Sequence, residues 1–174
     1  LLPLQVPQCI VPSTKAALAV VCQRLAGEPA TQIPVLGIAG LSGKTATQVL
    51  LANLLDAGGH NPALFGSRSY SDGFEAHPRK SFKTSPTRYA QWLANVVTNG
   101  CSHAVTTLPQ QNVVNSAYAG VPMKALVLTG FPSETHKNTA SPKIEKYLSR
   151  VLSEVADTGL IVANIDCPIV RNVI

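Results

Sequence analysis

The feature that most constrains the fold is an alternation of strand-like and helix-like segments that begins at Thr31. Short runs rich in Val, Ile and Leu, bounded by Gly or Pro, predict buried strands, and longer segments with apolar residues at helical spacing lie between them. Strands that alternate with helices in this way form a parallel sheet with right-handed crossovers. The sequence therefore predicts an α/β fold, with a mainly parallel sheet and helices on both faces.

The pattern divides into predicted strands, predicted helices and one irregular segment. The strands are expected at residues 33–39, 62–66, 102–108, 124–129 and 159–163. The helices are expected at residues 45–57, 86–99, 110–119 and 142–156, the last with Ile144, Tyr147, Leu148, Val151 and Val155 facing inward. Residues 67–83 are polar and aromatic without a clear period, which predicts a surface loop. The aromatic residues of this loop, which could stack on a base or only anchor the loop, are Tyr70, Phe74 and Phe82.

The chain before Thr31 is predicted to be a separate leading segment. Residues 1–11 contain two prolines and predict an extended stretch that comes from a preceding domain. Ser13 offers an N-cap for a helix that Gly27 ends. We therefore divide the chain into a leading segment with its helix, residues 1–30, and one domain, residues 31–174. Because the chain starts with Leu rather than Met and stops while the sequence is still patterned, we expect a piece of a longer protein.

Composition excludes several classes of protein. The 174 residues are 45% hydrophobic and 13% charged, which fits one globular domain with fewer charges than the ~25% typical of such domains. The net charge of +5 comes from scattered residues, and no run of consecutive Lys and Arg marks a nucleic-acid or membrane-binding tract. The positive charge fits a small anionic ligand equally well.

The cysteines and the apolar runs bear on the compartment. Cys9, Cys22, Cys101 and Cys167 are far apart and lie in hydrophobic contexts, which favours buried thiols in a reducing cytosol over disulfides or a zinc site. The longest apolar runs, residues 16–22 and 125–128, are far shorter than the ~20 residues of a membrane span. The sequence thus predicts a cytoplasmic protein with neither nucleic acid nor a membrane as a partner.

A glycine turn between the first predicted strand and the next helix carries the main functional signal. Residues 40–45 have the pattern Gly-x-x-Gly-Lys-Thr. Glycines let backbone N–H groups converge on a phosphate, and the positive end of the following helix faces the same anion. Lys44 would then reach the β- and γ-phosphates, and the Thr45 hydroxyl would coordinate Mg²⁺. The predicted nucleotide-binding residues are Gly40, Ser42, Gly43, Lys44, Thr45 and Ala46.

Only the second half of the general phosphate-loop pattern is present. That pattern has a glycine five residues before Gly43, where this chain has Ile38, although Gly37 and Gly40 are both present. The alternative is therefore an ordinary strand-turn-helix whose Lys44 is merely exposed. The position of the turn within an α/β alternation favours the nucleotide site.

Residues 37–45 resemble the phosphate loop of the Mur ligases, the ATP-dependent amide-forming enzymes of peptidoglycan synthesis. The family motif is Gly-x-Thr-Gly-Thr-Asn-Gly-Lys-Thr, and the chain is similar to it in register, with substitutions at Ala39, Leu41 and Ser42. The chain is most similar to the MurE-type members, the UDP-N-acetylmuramoyl-tripeptide synthetases. Residues 56–59, 119–121 and 163–168 resemble later landmarks of the same family, so the resemblance extends over almost the whole chain.

The resemblance implies a fold, a set of ligands and a second binding site. Residues 31–174 would be a truncated central domain of the P-loop NTPase type that binds ATP and Mg²⁺, and the C-terminal domain of the family would be absent. Thr84 and Ser85 stand where the family has a Thr-Thr-Pro contact for its UDP-sugar substrate. The expected partners are a nucleotide, a UDP-muramoyl-peptide and further domains of a longer parent chain.

Departures from the family lie at the metal site. The family carries a Glu and a His that hold Mg²⁺ after the third strand, and these fall on Thr107 and Gln111. The lysine that the family carbamylates falls on Val151, beside Arg150. Glu134, in a stretch that is otherwise changed, joins Thr45 as a candidate metal ligand.

Two functions from different classes follow. The first is a MurE-type ligase domain, in which ATP phosphorylates a UDP-muramoyl-peptide carboxylate that an amine then attacks. The second is a degenerate Mur-ligase-like module that binds a nucleotide or a protein, because each lost electrostatic group can be worth about 3–4 kcal/mol in the transition state. In either case we expect this piece alone to be inactive.

Two other classes are less favoured by the residues. A P-loop kinase or GTPase would have an aspartate at the end of a second hydrophobic strand, and the strands ending at Gly66 and Thr107 lack one. A Ser-His-Asp triad can be drawn from His103 and Asp166, but the sequence has no Gly-x-Ser-x-Gly elbow.

Overall fold

The computed structural model of the chain describes residues 6–79, 83–131 and 140–174. Its strands are β1 Val35–Ala39, β2 Pro62–Phe65, β3 Ser69–Ser71, β4 Ala76–Pro78, β5 His103–Thr107, β6 Met123–Leu128 and β7 Val155–Ala163. Its helices are α1 Thr14–Leu25, α2 Pro29–Gln32, α3 Lys44–Ala57, α4 Pro86–Thr98, α5 Gln110–Val114, α6 Pro142–Leu152 and α7 Pro168–Arg171.

The strands form one seven-stranded sheet in the order β4-β3-β2-β5-β1-β6-β7. The pairs that join β2, β5, β1, β6 and β7 are all parallel. Strands β3 and β4 form an antiparallel hairpin at the β2 edge. The predicted mainly parallel α/β fold is therefore confirmed, with the hairpin as an addition.

The direction of the crossovers decides which face each helix covers. The chain passes from β1 through α3 to β2 toward one edge of the sheet, whereas the crossovers through α4, α5 and α6 run toward the other edge. Because parallel crossovers are right-handed, α3 covers one face and the other three helices cover the opposite face. Helices on both faces were predicted, and α3 packs on β1, β2 and β5 as that prediction requires.

The predicted surface loop at residues 67–83 is wrong in part, because it contains the β3-β4 hairpin. Tyr70 lies opposite His77, with ring centroids 5.0 Å apart, and the Trp92 Nε1 donates a 2.9 Å hydrogen bond to the Ser71 carbonyl. Each hairpin strand has only three residues, which is too short to show an alternating pattern. Phe74 is exposed, and Phe82 lies outside the described residues.

The last predicted helix also ends earlier than expected. Helix α6 stops at Leu152, and Val155, predicted to face inward on that helix, begins β7 instead. The Met123 N–H donates a 2.8 Å hydrogen bond to the Glu154 carbonyl, so pairing with β6 takes over where the helix stops. Residues 115–119 are likewise not helical, since Ser116 has a φ of 58° that a helix does not allow.

The hydrophobic core lies mainly under α4, α5 and α6. The Phe65 ring of β2 packs on Trp92 and Tyr89 of α4, with centroids 4.8 and 5.2 Å apart. The largest fully buried side chains are Tyr89, Tyr147, Phe65, Ile38, Leu93, Leu108, Met123, Leu126, Leu128 and Leu148. No helix within the described ranges is long and apolar enough to cross a membrane.

The four cysteines are free, but they do not share one environment. Cys167 is buried as predicted, Cys22 and Cys101 are half-buried, and Cys9 is exposed. Burial was inferred from hydrophobic neighbours, and Cys9 precedes α1 outside the core. The prediction of buried thiols is therefore right for Cys167 and wrong for Cys9.

A small cavity lies at the amino ends of β6 and β7, where α1, α5 and α6 meet. Its lining includes Arg150 and Glu154 with the apolar Met123 and Val113. The Gly120 N–H donates a 3.3 Å hydrogen bond to a Glu154 carboxylate oxygen. Burial outweighs this bond and the nearby Arg150 charge, and it raises the pKa of Glu154 from 4.5 to about 7.

We expect Leu93→Ala to lower the free energy of unfolding by about 2–5 kcal/mol, because it opens a cavity in the core. The matched control is Leu54→Ala in α3, whose side chain is 63% exposed, and it should change stability by less than about 0.5 kcal/mol. Urea unfolding followed by circular dichroism measures both. Equal losses in the two variants would contradict the assigned core.

Glu154 should make the folded chain less stable as the pH rises from 4.5 to 7. In this interval the unfolded chain has already released the Glu154 proton while the folded chain still holds it, so the stability that protonation contributes is lost with rising pH. Glu154→Gln keeps an acceptor for Gly120 and removes the titration. Urea midpoints measured across this interval should therefore fall less steeply for the variant, and parallel curves would refute the assignment.

Candidate functional site

The glycine turn lies at the carboxyl end of the central strand. Strand β1 sits between β5 and β6, and the helix that follows it covers the face opposite the helices that follow its two neighbours. In open α/β sheets such a switch point leaves a crevice outside the carboxyl ends of the strands, where ligands bind. Residues 40–46 border this crevice, as the sequence predicted.

Two residues of the turn require glycine. Gly40 has a φ of 138° and Gly43 a φ of 81°, in the region that side chains disfavour. A Cβ on Gly40 would also collide with the Thr129 Oγ1 atom. Glycine at residue 40 is therefore fixed by the close approach of the end of β6.

The end of β6 clasps the turn through its backbone. The Gly130 carbonyl accepts hydrogen bonds from the Leu41 and Ser42 N–H groups, at 2.9 and 3.1 Å. The Thr129 hydroxyl lies 2.9 Å from the Ala39 carbonyl and 2.7 Å from the Ser42 carbonyl. These contacts fix the conformation of the turn.

The amino end of α3 faces the same crevice. Because α3 begins at Lys44, the N–H groups of its first turn have no carbonyl acceptor within the helix. Ser42, Thr45 and Ala46 are exposed. The helix start thus presents backbone donors that have no acceptor within the described residues, the positive end of its dipole and the Thr45 hydroxyl at one place, which suits a phosphate.

The Lys44 side chain folds back over the turn. Its Nζ donates to the Gly40 carbonyl at 2.7 Å and to the Leu41 carbonyl at 3.3 Å. Burial lowers the pKa of Lys44, because removal from water disfavours the charged ammonium form. The partners of this ammonium group are neutral carbonyls, which carry no compensating charge. An anionic ligand at the turn would supply the negative charge that this ammonium group lacks.

Tyr147 joins the turn to the end of β5. Its hydroxyl donates to the Leu108 carbonyl at 2.6 Å and accepts from the Gly40 N–H at 3.0 Å. Burial raises the pKa of Tyr147, so the hydroxyl stays protonated. The sequence indicated only an inward-facing residue here; the missed signal is that a buried tyrosine hydroxyl needs polar partners.

The two residues predicted to bind a UDP-sugar lie near the carboxyl ends of β2 and β5. The Ser85 Oγ caps α4 by accepting from the Arg88 N–H at 3.2 Å. The Thr84 N–H donates to the Asn112 Oδ1 at 3.3 Å, and its hydroxyl accepts from Arg79. Of these two residues, Thr84 has a hydroxyl that bonds to another side chain, that of Arg79, whereas the Ser85 hydroxyl bonds to the backbone of α4.

Most of the side chains at the predicted metal positions do not offer the oxygen ligands that Mg²⁺ requires. Thr107 is buried, with its Oγ1 3.4 Å from the Phe65 carbonyl, and Val151 is buried in the core. Gln111 is exposed and neutral, and Glu134 lies outside the described residues. In the described part of the chain no three His, Cys, Asp or Glu side chains converge as a metal site. Among the predicted metal positions within the described residues, Thr45 has an exposed hydroxyl oxygen, which fits a Mg²⁺ ion that arrives with a nucleotide.

Two further candidates are separated by the fold. His103 begins β5, whereas Asp166 follows the end of β7, so the strands hold them at opposite ends of the parallel sheet and no triad forms.

Arg150, next to Val151, donates to the Val114 carbonyl at 2.9 Å and the Ser116 Oγ at 2.7 Å.

Comparison with curated proteins finds relatives of one kind, although no family model matches the chain. A UDP-N-acetylmuramyl-tripeptide synthetase of Deinococcus radiodurans is 30% identical over 131 residues, 74% of this chain and 27% of the relative. A UDP-N-acetylmuramoyl-L-alanyl-D-glutamate–2,6-diaminopimelate ligase of Chlorobaculum tepidum is 26% identical over 125 residues, 72% of this chain and 25% of the relative. The chain spans about a quarter of the length of these relatives.

Solved structures share the fold. A UDP-N-acetylmuramoyl-L-alanyl-D-glutamate–2,6-diaminopimelate ligase matches with a TM-score of 0.71 at 13% identity, over 91% of this chain and 32% of that one. A folylpolyglutamate synthase of Mycobacterium tuberculosis, complexed with ADP, matches with a TM-score of 0.52 at 15% identity, over 89% of this chain and 47% of that one. These similarities confirm the predicted fold class, and the curated relatives confirm the resemblance to the Mur ligases.

We expect Tyr147→Phe to lower the free energy of unfolding by about 1–3 kcal/mol, because it leaves the buried Gly40 N–H and Leu108 carbonyl without their shared partner. Tyr70→Phe, on the half-buried hairpin, is the matched control and should have a smaller effect. Guanidinium unfolding of both variants measures the difference. A Tyr147 variant as stable as wild type would show that the hydroxyl does not hold the turn.

Proposed function

Because this chain belongs to the Mur ligase family, we propose that residues 31–174 are the ATP-binding central domain of a MurE-type ligase, which adds an amino acid to a UDP-N-acetylmuramoyl-peptide in peptidoglycan synthesis. The observation that carries the proposal is the glycine turn, where the start of α3 and the Lys44 ammonium face one crevice. Residues 1–30 would lead into this domain, which we place in the cytoplasm as part of a longer protein.

The turn would bind the phosphates of ATP with its own backbone and one side chain. The free N–H groups at Lys44, Thr45 and Ala46 would donate to phosphate oxygens, and the α3 dipole would stabilise their charge. The Lys44 ammonium would leave the carbonyls of Gly40 and Leu41 for the β- and γ-phosphates. This exchange is favourable because a charge-assisted hydrogen bond to an anion is stronger than one to a neutral carbonyl.

Thr45 is the residue that would hold a nucleotide-bound Mg²⁺, which neutralises phosphate charge during phosphoryl transfer. Glu134 remains a proposed second ligand. Thr84 would contact the UDP-sugar through its hydroxyl, which can still donate while it accepts from Arg79. Ser85 would contribute through its position at the start of α4, since its hydroxyl already caps that helix.

A second candidate function is a degenerate module that binds the nucleotide without catalysis. One observation favours it: the positions where the family holds its other metal ligands carry a buried threonine, an exposed amide and a core valine, at Thr107, Gln111 and Val151. These side chains cannot replace the charge of a carboxylate or a carbamate. Both candidates share the nucleotide site and differ in phosphoryl transfer.

Titration calorimetry of Mg·ATP into the whole chain tests the shared step. We expect magnesium-dependent binding that Lys44→Ala weakens by at least about tenfold, because the ammonium group meets the phosphates directly. Lys124→Ala, an exposed lysine at the start of β6, is the control for the loss of one positive charge and should leave the affinity unchanged.

Calorimetry tests the nucleotide site that both candidates share, and a phosphate-release assay separates the candidates. No heat up to millimolar ATP, or equal affinity in the Lys44 and Lys124 variants, would reject a working phosphate loop. Where ATP binds, release of phosphate by the longer parent protein in the presence of a UDP-muramoyl-peptide and an amino acid supports the ligase, and its absence there supports the degenerate module.

A further inference from the structure

Arg79 is a half-buried cation for which the mechanism proposed above has no use. It follows the hairpin strand β4 and reaches the carboxyl end of β2, where its guanidinium stacks on the Phe65 ring, 4.4 Å from the centroid. The Nη1 group donates a hydrogen bond to the Gly66 carbonyl, and the Nη2 group donates to the Lys83 carbonyl and the Thr84 hydroxyl. The packing and these bonds fix the guanidinium in one orientation.

The hydrogen-bond capacity of this guanidinium is only partly used. A guanidinium has five N–H donors, and the acceptors named above take three of them. The Nε atom is shielded from solvent and has no acceptor among residues 6–79, 83–131 and 140–174. A buried donor without an acceptor is costly, so the site favours a ligand that brings oxygen atoms.

The positive charge of Arg79 is also without a counter-charge among the described residues. The ion pairs found in those ranges join Arg24 with Glu28 and Glu75 with His77. The titratable groups that act on Arg79 are Tyr118, Tyr70 and the like-charged Arg88. Burial, followed by the Arg88 charge as a smaller cause, lowers the pKa of Arg79. A half-buried cation that lacks an anion favours binding one.

The surroundings of Arg79 add to the positive potential and place it at the ligand edge of the sheet. The start of α4, which has no acidic residue in its first turn, directs the positive end of its dipole toward Thr84. Through the Thr84 hydroxyl, Arg79 joins a polar chain that continues to the Tyr118 hydroxyl and the Thr107 carbonyl. Arg79 therefore lies beside the position where the family places a metal-binding carboxylate.

We propose that the Arg79 guanidinium is a binding residue for a phosphate oxyanion at the carboxyl ends of β2 and β5, and that it holds this group without a divalent cation. The oxyanion belongs to the diphosphate of the UDP-sugar or to ATP, which present the same chemistry. This inference rests on the proposed function for the identity of these ligands.

The donor atoms at this edge explain why a guanidinium takes the place of a metal. Mg²⁺ binds through carboxylates and water, whereas Thr107 is neutral and its Oγ1 lies against the Phe65 carbonyl. A guanidinium carries a permanent charge, and the two N–H donors that the acceptors named above leave over can go to phosphate oxygens. The positive charge at this edge is thus part of the chain and independent of free Mg²⁺.

The test is titration calorimetry with uridine diphosphate into the whole chain in the presence of EDTA. We expect wild type to bind, Arg79→Gln to bind at least about tenfold more weakly, and Arg79→Lys to lie between them, since lysine keeps the charge but lacks the planar set of N–H donors. Arg24→Gln removes an exposed arginine of α1 and should match wild type. Thermal melts followed by circular dichroism verify folding, and Arg79→Lys decides the question if the glutamine variant does not fold.

Three results would overturn the inference: wild type that binds neither uridine diphosphate nor ATP without Mg²⁺, Arg79 variants with wild-type affinity for both ligands, or uridine diphosphate binding that Lys44→Ala abolishes. The last result would place the diphosphate on the glycine turn. A parallel titration with ATP in EDTA identifies the source of the oxyanion, because an Arg79 effect on ATP alone assigns it to the nucleotide. Mg·ATP could fail to bind to wild type and to every variant while uridine diphosphate still binds in an Arg79-dependent way. That result would reject the proposed ATP site and support the Arg79 site.

Discussion

The edge of the sheet where we propose that ligands bind depends on the hydrogen bonds between the glycine turn and the end of β6. Pairing of β1 with β6 brings Thr129 and Gly130 against the turn, where they hold its backbone and exclude any side chain at Gly40. Tyr147 adds a second link to β5. The direction in which α3 presents its first N–H groups follows from these contacts, because the turn cannot move without breaking buried hydrogen bonds.

Two cations at this edge share one physical condition. Lys44 and Arg79 are both partly buried, and both donate to neutral oxygen atoms in the structure. Removal from water without a counter-charge disfavours their charged forms, which the lowered pKa of each expresses. A ligand with two separate anionic groups would relieve both. Thr107, Gln111 and Val151 offer no charged group that could bind a metal ion. Within the described residues, the positive charge at this edge is therefore carried by the side chains of Lys44 and Arg79.

The sequence predicted the five parallel strands, the position of the glycine turn and the cap at Ser13, whose Oγ accepts from the Ala16 N–H at 3.3 Å. It failed at residues 69–78 and 153–156, where pairing with β2 and β6 decided the conformation. Strands of three residues carry too little periodicity to be predicted. The apolar residues Val151 and Val155 fit a helix as well as a strand, so local pattern could not place that boundary.

What the sequence by itself determined is what neighbouring residues encode: the strand-helix alternation, the glycine conformation of the turn, and the presence of Lys44 and Thr45 at the start of α3. Only the tertiary structure decided which distant groups complete the site. The Tyr147 hydroxyl meets Gly40 across 107 positions of sequence, and Thr129 meets Ala39 across 90. Such contacts depend on strand order, register and helix packing, which arise from the whole core and leave no mark on the local pattern.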